Sequence, residues 1–164
     1  MKTRNFKNSL FASVGFVALA GTLLLSACDK DDNDDIKDPS VKYSISGAAS
    51  GAQEVPAVTG TGAGTMTGSY DTVSKQLIYT INWTGISAEA TMAHFHGPAS
   101  AGENAGVLEP LTIVTNGVSG LATDTISASA DLHSALMAGK VYYNIHTVAN
   151  PDGEIRGQIS LTPQ

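Results

Sequence analysis

The sequence predicts an all-β fold, an antiparallel Greek-key-like β-sandwich or barrel with one short helix. Apolar and polar residues alternate in several segments, which is the period of strands with one buried face. Turn-forming residues separate these segments, and the 164-residue chain contains 17 glycines. Many short strands joined by tight turns favour an antiparallel sandwich or barrel.

The first element is a secretory signal peptide over residues 1–27. Lys2, Arg4 and Lys7 precede residues 10–25, which carry no charge. A basic segment followed by an apolar run is typical of a signal peptide. The run has 16 residues, whereas a membrane-spanning helix needs about 20. We therefore expect cleavage and export rather than a permanent membrane span.

The apolar run ends in Leu-Ser-Ala-Cys at residues 25–28. This tetrapeptide resembles the lipobox of bacterial lipoproteins, which implies cleavage before Cys28 and a diacylglycerol on its thiol. Several acyl chains on one residue hold a folded domain at a membrane without a spanning helix. We expect a cell-envelope protein anchored to the outer membrane through Cys28. This is the only cysteine, so the mature chain forms no internal disulfide.

Residues 28–40 contain six aspartates, two lysines and one isoleucine. Such a run buries little and repels itself, so we expect a disordered acidic tether. Lys30, Asp31 and Asp32 also resemble the surface-export signal of some Gram-negative lipoproteins, which implies a domain on the outside of the cell. A plain solvated linker is the alternative interpretation.

The charge balance excludes two classes of partner. The mature chain has six basic and fifteen acidic residues. Nucleic acids and anionic membrane faces require a basic patch, so neither is an expected partner of the protein surface itself. Residues 41–164 have the length of one domain.

Alternation and turn signals predict the elements of this domain. The predicted strands cover residues 41–45, 65–70, 77–83, 90–96, 111–115, 121–127, 141–147 and 154–161. Residues 71–74 and 148–153 are predicted turns. The second contains a Pro-Asp-Gly sequence, which is typical of a turn. Residues 131–138, followed by Gly139, are the one predicted helix. Trp83 lies on the apolar face of its strand, and we expect it in the core.

Several motifs appear in a characteristic order. Residues 93–99 read Ala-His-Phe-His-Gly-Pro-Ala, residues 139–147 read Gly-Lys-Val-Tyr-Tyr-Asn-Ile-His-Thr, and residues 150–159 read Asn-Pro-Asp-Gly-Glu-Ile-Arg-Gly-Gln-Ile. With the segment 46–56, they resemble the CHRD domain, which occurs in several copies in chordin and singly in many bacterial secreted proteins. The resemblance covers the domain 41–164 almost completely and implies an extracellular β-rich module.

Three histidines form the candidate site. On a strand, residues i and i+2 share a face, so His94 and His96 project side by side, opposite the more apolar face. The same alternation places His146 opposite the apolar face of its own strand. If the two strands are neighbours, the three imidazoles converge in a geometry that zinc or copper accepts. A polar network beside the loop 97–106 is the alternative.

The final predicted hairpin holds a second group of charged residues. Glu154 and Arg156 share a face, and Arg156 is the only arginine of the mature chain. We expect a structural ion pair of Arg156 with Glu154 or with Glu54, and ligand binding is the alternative.

No nucleophile motif or phosphate-binding loop is present in the sequence, so we expect no enzyme. The expected function is a non-catalytic binding or structural module at the cell surface, whose partner is an extracellular protein or glycan. The alternative is a zinc- or copper-binding protein that uses His94, His96 and His146.

Overall fold

The computed structural model describes residues 41–164. The predicted signal peptide, Cys28 and the predicted acidic tether lie outside the described residues. No helix within residues 41–164 has the length and apolar character needed to cross a membrane.

Short strands dominate the described part of the chain. Its ten strands are β1 (Lys42–Ser50), β2 (Ala63–Asp71), β3 (Gln76–Thr84), β4 (Ala90–His96), β5 (Val107–Pro110), β6 (Ile113–Thr115), β7 (Gly120–Ser127), β8 (Tyr142–Thr147), β9 (Ile155–Gln158) and β10 (Ser160–Pro163). One α-helix, α1 (Ala130–Met137), lies between β7 and β8. The predicted all-β class with a single short helix is confirmed.

The strands form one antiparallel sheet in the order β5-β4-β8-β9-β1-β2-β3-β7-β6, with β10 also paired to β1. The two strands at the ends of this order, β5 and β6, are consecutive in the chain. Between them, Leu111 donates its N–H to Ala93 of β4, and Thr112 accepts from Thr123 of β7. The sheet therefore curls into a half-barrel whose opposite edges are linked by two residues.

The core lies on the inner face of this curled sheet. Strand β3 alternates between buried and exposed positions, as the period of two predicts. Trp83 is 3% exposed, and its Nε1 donates to the Gly117 carbonyl at 3.1 Å. The predicted place of Trp83 in the core is confirmed.

Helix α1 closes one end of the core. The Ser129 hydroxyl accepts a hydrogen bond from the Leu132 N–H at 3.2 Å, which is the usual stabilisation of a helix start. Leu132 and Leu136, four residues apart, are both buried. Gly139 has φ +67° and ends the helix in the left-handed conformation that glycine tolerates. The observed bounds differ from the predicted ones by one residue.

The prediction omits β5 and joins β9 to β10. The segment predicted as 111–115 contains β6 alone, and no strand is predicted over 107–110, where β5 pairs with β4. The segment predicted as 154–161 divides at Ile159, because β9 pairs with β8 while β10 pairs with β1. Alternation in the sequence does not reveal a change of partner strand.

Candidate functional site

Strands β4 and β8 are antiparallel neighbours and place the three histidines together. In their register His94 lies opposite Asn144, and Met92 lies opposite His146. Phe95 and Ile145 on the same two strands point into the core. The histidines consequently project from the opposite, polar face of the sheet.

Two loops cover this polar face. Loop 97–106 joins β4 to β5, and loop 148–154 joins β8 to β9. All six residues of β8 are buried, although a strand with one solvated face would have every second side chain exposed. The histidines therefore lie in a covered layer between the sheet and the two loops.

The three imidazoles form a compact group. One nitrogen from each of His94, His96 and His146 lies within 4.8 Å of the other two. The closest pair is His94 Nδ1 and His146 Nε2, which are 3.0 Å apart. His96 and His146 are 8% and 5% exposed, whereas His94 is half-buried.

Backbone carbonyls determine the tautomers of two of these rings. His96 Nδ1 lies 3.0 Å from the Ala105 carbonyl of loop 97–106. His146 Nδ1 lies 2.9 Å from the Pro151 carbonyl of loop 148–154. A carbonyl oxygen only accepts, so each Nδ1 must carry the proton and donate it. The Nε2 atoms of both rings are left with lone pairs, as in many metal-binding histidines.

The Nε2 atom of His96 is buried and has no hydrogen-bond partner among residues 41–164. An unsatisfied buried polar atom costs about 1–3 kcal/mol. Asn144 Oδ1 on β8 is likewise buried without a partner in this part of the chain, and Asn144 lies close enough to raise the pKa of His96.

The electrostatics keep the imidazoles uncharged. Burial lowers the pKa of His94, and the neighbouring His146 and His96 lower it further. Burial is also the largest cause of the lowered pKa values of His96 and His146. Neutral imidazole is the form that binds a metal ion, and the lowered pKa values favour that form in all three rings.

Arg156 connects the histidine group to loop 97–106. Its Cζ lies 3.4 Å from the centroid of the Tyr142 ring, and the His96 ring stacks on that same tyrosine with centroids 4.9 Å apart. The guanidinium donates to the Glu103 carbonyl at 2.6 Å and to Asn104 Oδ1 at 3.2 Å. This fully buried arginine thus holds the loop whose Ala105 carbonyl orients His96.

Glu154 has other partners than the predicted Arg156. Its carboxylate accepts from the Ser87 N–H and hydroxyl, the Thr147 hydroxyl and the Asn150 amide. Burial raises its pKa, but these hydrogen bonds outweigh burial and leave the pKa lowered. Within the described residues no hydrogen bond joins Glu154 to Arg156, whose donors go to loop 97–106.

Glu54 is the second carboxylate predicted for the ion pair. It is 7% exposed, and its Oε1 has no hydrogen-bond partner in the described part of the chain. Burial raises its pKa to about 7, although the charge of Arg156 acts to lower it. The positive charge of Arg156 therefore acts on the pKa of Glu54, and no hydrogen bond joins the two side chains within the described residues.

Two clefts flank Glu54, with volumes of about 200 and 230 Å³. Sites for organic ligands usually have volumes of about 300–1,000 Å³. The two clefts beside Glu54 are thus small for such ligands, and none of the three histidines lines them.

Sequence reasoning did not identify two carbonyls that contact the histidines, nor the neighbouring Met92. The Ala105 and Pro151 carbonyls belong to the backbone, so the residue types at these positions do not indicate the contact. Met92 shares the face of His94 because it lies two residues earlier on β4, and strand alternation alone would have placed it there.

The curled antiparallel sheet with a covered histidine layer defines the class of the protein as a single β-domain module. A sequence model of the CHRD domain family matches residues 45–159. Because the match covers more than half of the chain, the chain belongs to the CHRD domain family and contains one copy of the domain. Searches of curated proteins and of solved structures found no match.

Proposed function

We propose that this chain is an envelope-tethered, non-catalytic binding module whose CHRD domain holds one zinc or copper ion with His94, His96 and His146. One observation carries the proposal: backbone carbonyls accept the Nδ1 protons of His96 and His146, so each Nε2 keeps a lone pair. That lone pair has no partner in His96 among residues 41–164, and in His146 it accepts from His94 Nδ1. Loops on both sides of the group therefore orient two ligands before any metal arrives.

The dimensions of the group support metal binding. Each histidine nitrogen lies about 2.0–2.1 Å from zinc, so ligand nitrogens of a tetrahedral site are roughly 3.3 Å apart. The three candidate nitrogens already lie within 4.8 Å of one another. Small side-chain rotations would bring them to coordination distance.

A purely polar network explains the group less well. Such a network would supply partners for both nitrogens of each buried ring. His146 has partners on both nitrogens, but His96 Nε2 has none in the described residues. A metal ion would satisfy this lone pair, while the hydrogen bond between His94 and His146 would be exchanged for two metal bonds.

The proposed role is binding because the sequence has no nucleophile motif. The possible ligand group contains only the three histidines, and Asp152 acts on His146 through its charge. Three protein ligands leave a fourth position for water or another donor.

The matched test is a calorimetric titration of zinc and copper into the matured chain, purified without an affinity tag. We expect about one equivalent to bind the native chain, and binding to be lost in His94→Ala. His94 is half-buried, so its replacement should leave the fold intact, as circular dichroism would verify. His133→Ala is the control, because His133 lies on α1 and contacts Tyr70 and Lys75 instead. Equal binding by both variants would contradict the proposal.

The proposed location depends on Cys28. We propose that a lipid on Cys28 anchors the module to the outer membrane and that the acidic tether carries it to the cell surface. Cys28→Ser should move the protein from the detergent phase to the aqueous phase. Protease added to intact cells should cut the native protein if the domain faces outward. An unchanged phase distribution in Cys28→Ser would contradict the lipid anchor.

A further inference from the structure

We propose that the preferred ion is monovalent copper and that the thioether of Met92 is its fourth ligand. This inference rests on the proposed function and identifies the ion for the same site. The observations that carry it are the position of Met92 in the β4–β8 register, its exposure, and the charge around the histidines.

Met92 lies beside two of the three histidines. It is the direct cross-strand partner of His146, and it precedes His94 by two residues on β4. Side chains of direct cross-strand partners have Cβ atoms about 4.5–5.5 Å apart. A bulge between Ala90 and Met92 allows Ala90 to remain in the core while Met92 projects from the polar face.

Met92 is accessible to solvent. It is 49% exposed, and Met137 on α1 is 42% exposed, whereas Met66 in the core is 1% exposed. A methionine in this position stabilises the fold little by burial. Because His94 is also half-buried while His96 and His146 are covered, Met92 and His94 lie on the accessible side of the group. A thioether there is available to an arriving ion.

The charge of the surroundings favours a monovalent ion. The buried Arg156 guanidinium contacts the ring of Tyr142, on which His96 stacks. One aromatic ring therefore separates a fixed positive charge from a ligand. Asp152 acts on His146 through its charge, but no carboxylate in residues 41–164 belongs to the possible ligand group, whose members are all neutral donors. A cuprous ion carries half the charge of zinc, so its repulsion from Arg156 is about half as large.

The ligand chemistry points the same way. Thioether sulfur is a soft, neutral donor that selects monovalent copper, whereas imidazole accepts both copper and zinc. The affinity of this ligand group for monovalent copper should therefore depend on Met92, whereas its affinity for zinc should not.

The experiment measures cuprous and zinc affinities of the matured chain separately. Under anaerobic, reducing conditions, the protein competes with a coloured cuprous chelator, and zinc is titrated against a zinc-specific indicator. Met92→Leu retains the volume and apolar character of the side chain. Met137→Leu is the control, since Met137 is 42% exposed and lies on α1.

We expect Met92→Leu to weaken cuprous binding at least about tenfold, since loss of even an outer-shell partner typically costs 10–100-fold in metal affinity. Zinc affinity should be unchanged, and Met137→Leu should match the native chain for both ions. A sulfur contribution in the copper X-ray absorption spectrum of the native chain should disappear in Met92→Leu.

Equal cuprous affinities of Met92→Leu and Met137→Leu would overturn the role of Met92. If His94→Ala still lost metal in that case, the proposed function would stand without this inference. If the native chain bound neither ion, the proposed function itself would fail.

Discussion

At the residue scale, the polar face is organised by hydrogen bonds from side chains to backbone carbonyls. His96, His146 and Arg156 each donate to a carbonyl of a covering loop. Such bonds fix both the tautomer of an imidazole and the position of a loop. The arrangement of the histidines therefore depends on loops 97–106 and 148–154 remaining closed over the sheet.

Arg156 is the residue whose loss should disturb loop 97–106 most. We expect Arg156→Met to lower the free energy of unfolding by about 3 kcal/mol, because its charged hydrogen bonds to the loop are lost. Urea unfolding measures this change, and limited proteolysis should show new cleavage within loop 97–106. Lys140→Met, which removes an exposed charge, should cost less than about 0.5 kcal/mol. Similar costs for the two variants would contradict the role of Arg156.

Glu54 should make the stability of the domain depend on pH. Its pKa rises from 4.5 to about 7 on burial, so the folded state holds the proton more tightly than the unfolded state. The stabilisation is complete below pH 4.5 and is lost as the pH rises through about 7. The histidines have lowered pKa values in the folded state, so the unfolded state binds protons more readily below about pH 6.5. Their contribution to the free energy of unfolding therefore falls as the pH falls, opposite to that of Glu54.

The matched comparison is the native chain against Glu54→Gln, in which the histidine contribution cancels. Urea unfolding at about pH 5 and about pH 8 should show that Glu54→Gln becomes relatively more stable at the higher pH. A constant difference between the two proteins across this range would contradict the raised pKa of Glu54.

At the element scale, β9 is the strand that brings the sheet together. It pairs with β8 along its length and meets β1 at the pair Ser50–Arg156. A Cβ on Gly157 would lie 2.8 Å from the Ala48 carbonyl oxygen and 2.8 Å from the Tyr143 ring. Glycine is required there because the backbone and an aromatic ring approach so closely.

Gly157→Ala should therefore destabilise the domain by about 1–3 kcal/mol, the usual cost of overpacking. Thermal unfolding followed by circular dichroism measures the effect. Gly106→Ala is the matched control, since a Cβ there meets no atom within 4 Å. The interpretation would be wrong if the two substitutions lowered the melting temperature equally.

The sequence predicted the elements whose signals are local. Strand β3 and helix α1 carry clear periodicity, and the predicted turn 71–74 follows β2 as expected. Strand β5 is absent from the prediction, because its four residues are too short a run to show alternation. Strands β9 and β10 are joined in the prediction, because their separation depends on two different partner strands. The covered polar face of β8 was also unforeseen, because burial by loops leaves no periodic signal.

At the scale of the whole molecule, the link between β5 and β6 connects the two edges of the sheet. The Leu111 and Thr112 bonds to β4 and β7 hold the two ends of the strand order close to each other. This closure is a property of topology, so alternation within single strands cannot reveal it.

The candidate site shows what the sequence could and could not predict. Strand alternation correctly placed His94 and His96 on one face. Their strand β4 also pairs with β8, which carries His146, as the predicted site requires. The bonds of His96 to Ala105 and of His146 to Pro151 were beyond prediction, because a loop conformation brings each carbonyl to its ring. The family match identifies the domain, while the ligand has to be inferred from these contacts.

The most direct measurement is the metal content of the matured chain by elemental mass spectrometry, after exposure to zinc and copper and removal of loosely bound ions. The account predicts close to one ion per native chain and per His133→Ala chain, and almost none per His94→Ala chain. A native chain without bound metal, or a His94→Ala chain that retains it, would contradict the central claim that the three histidines form a metal site.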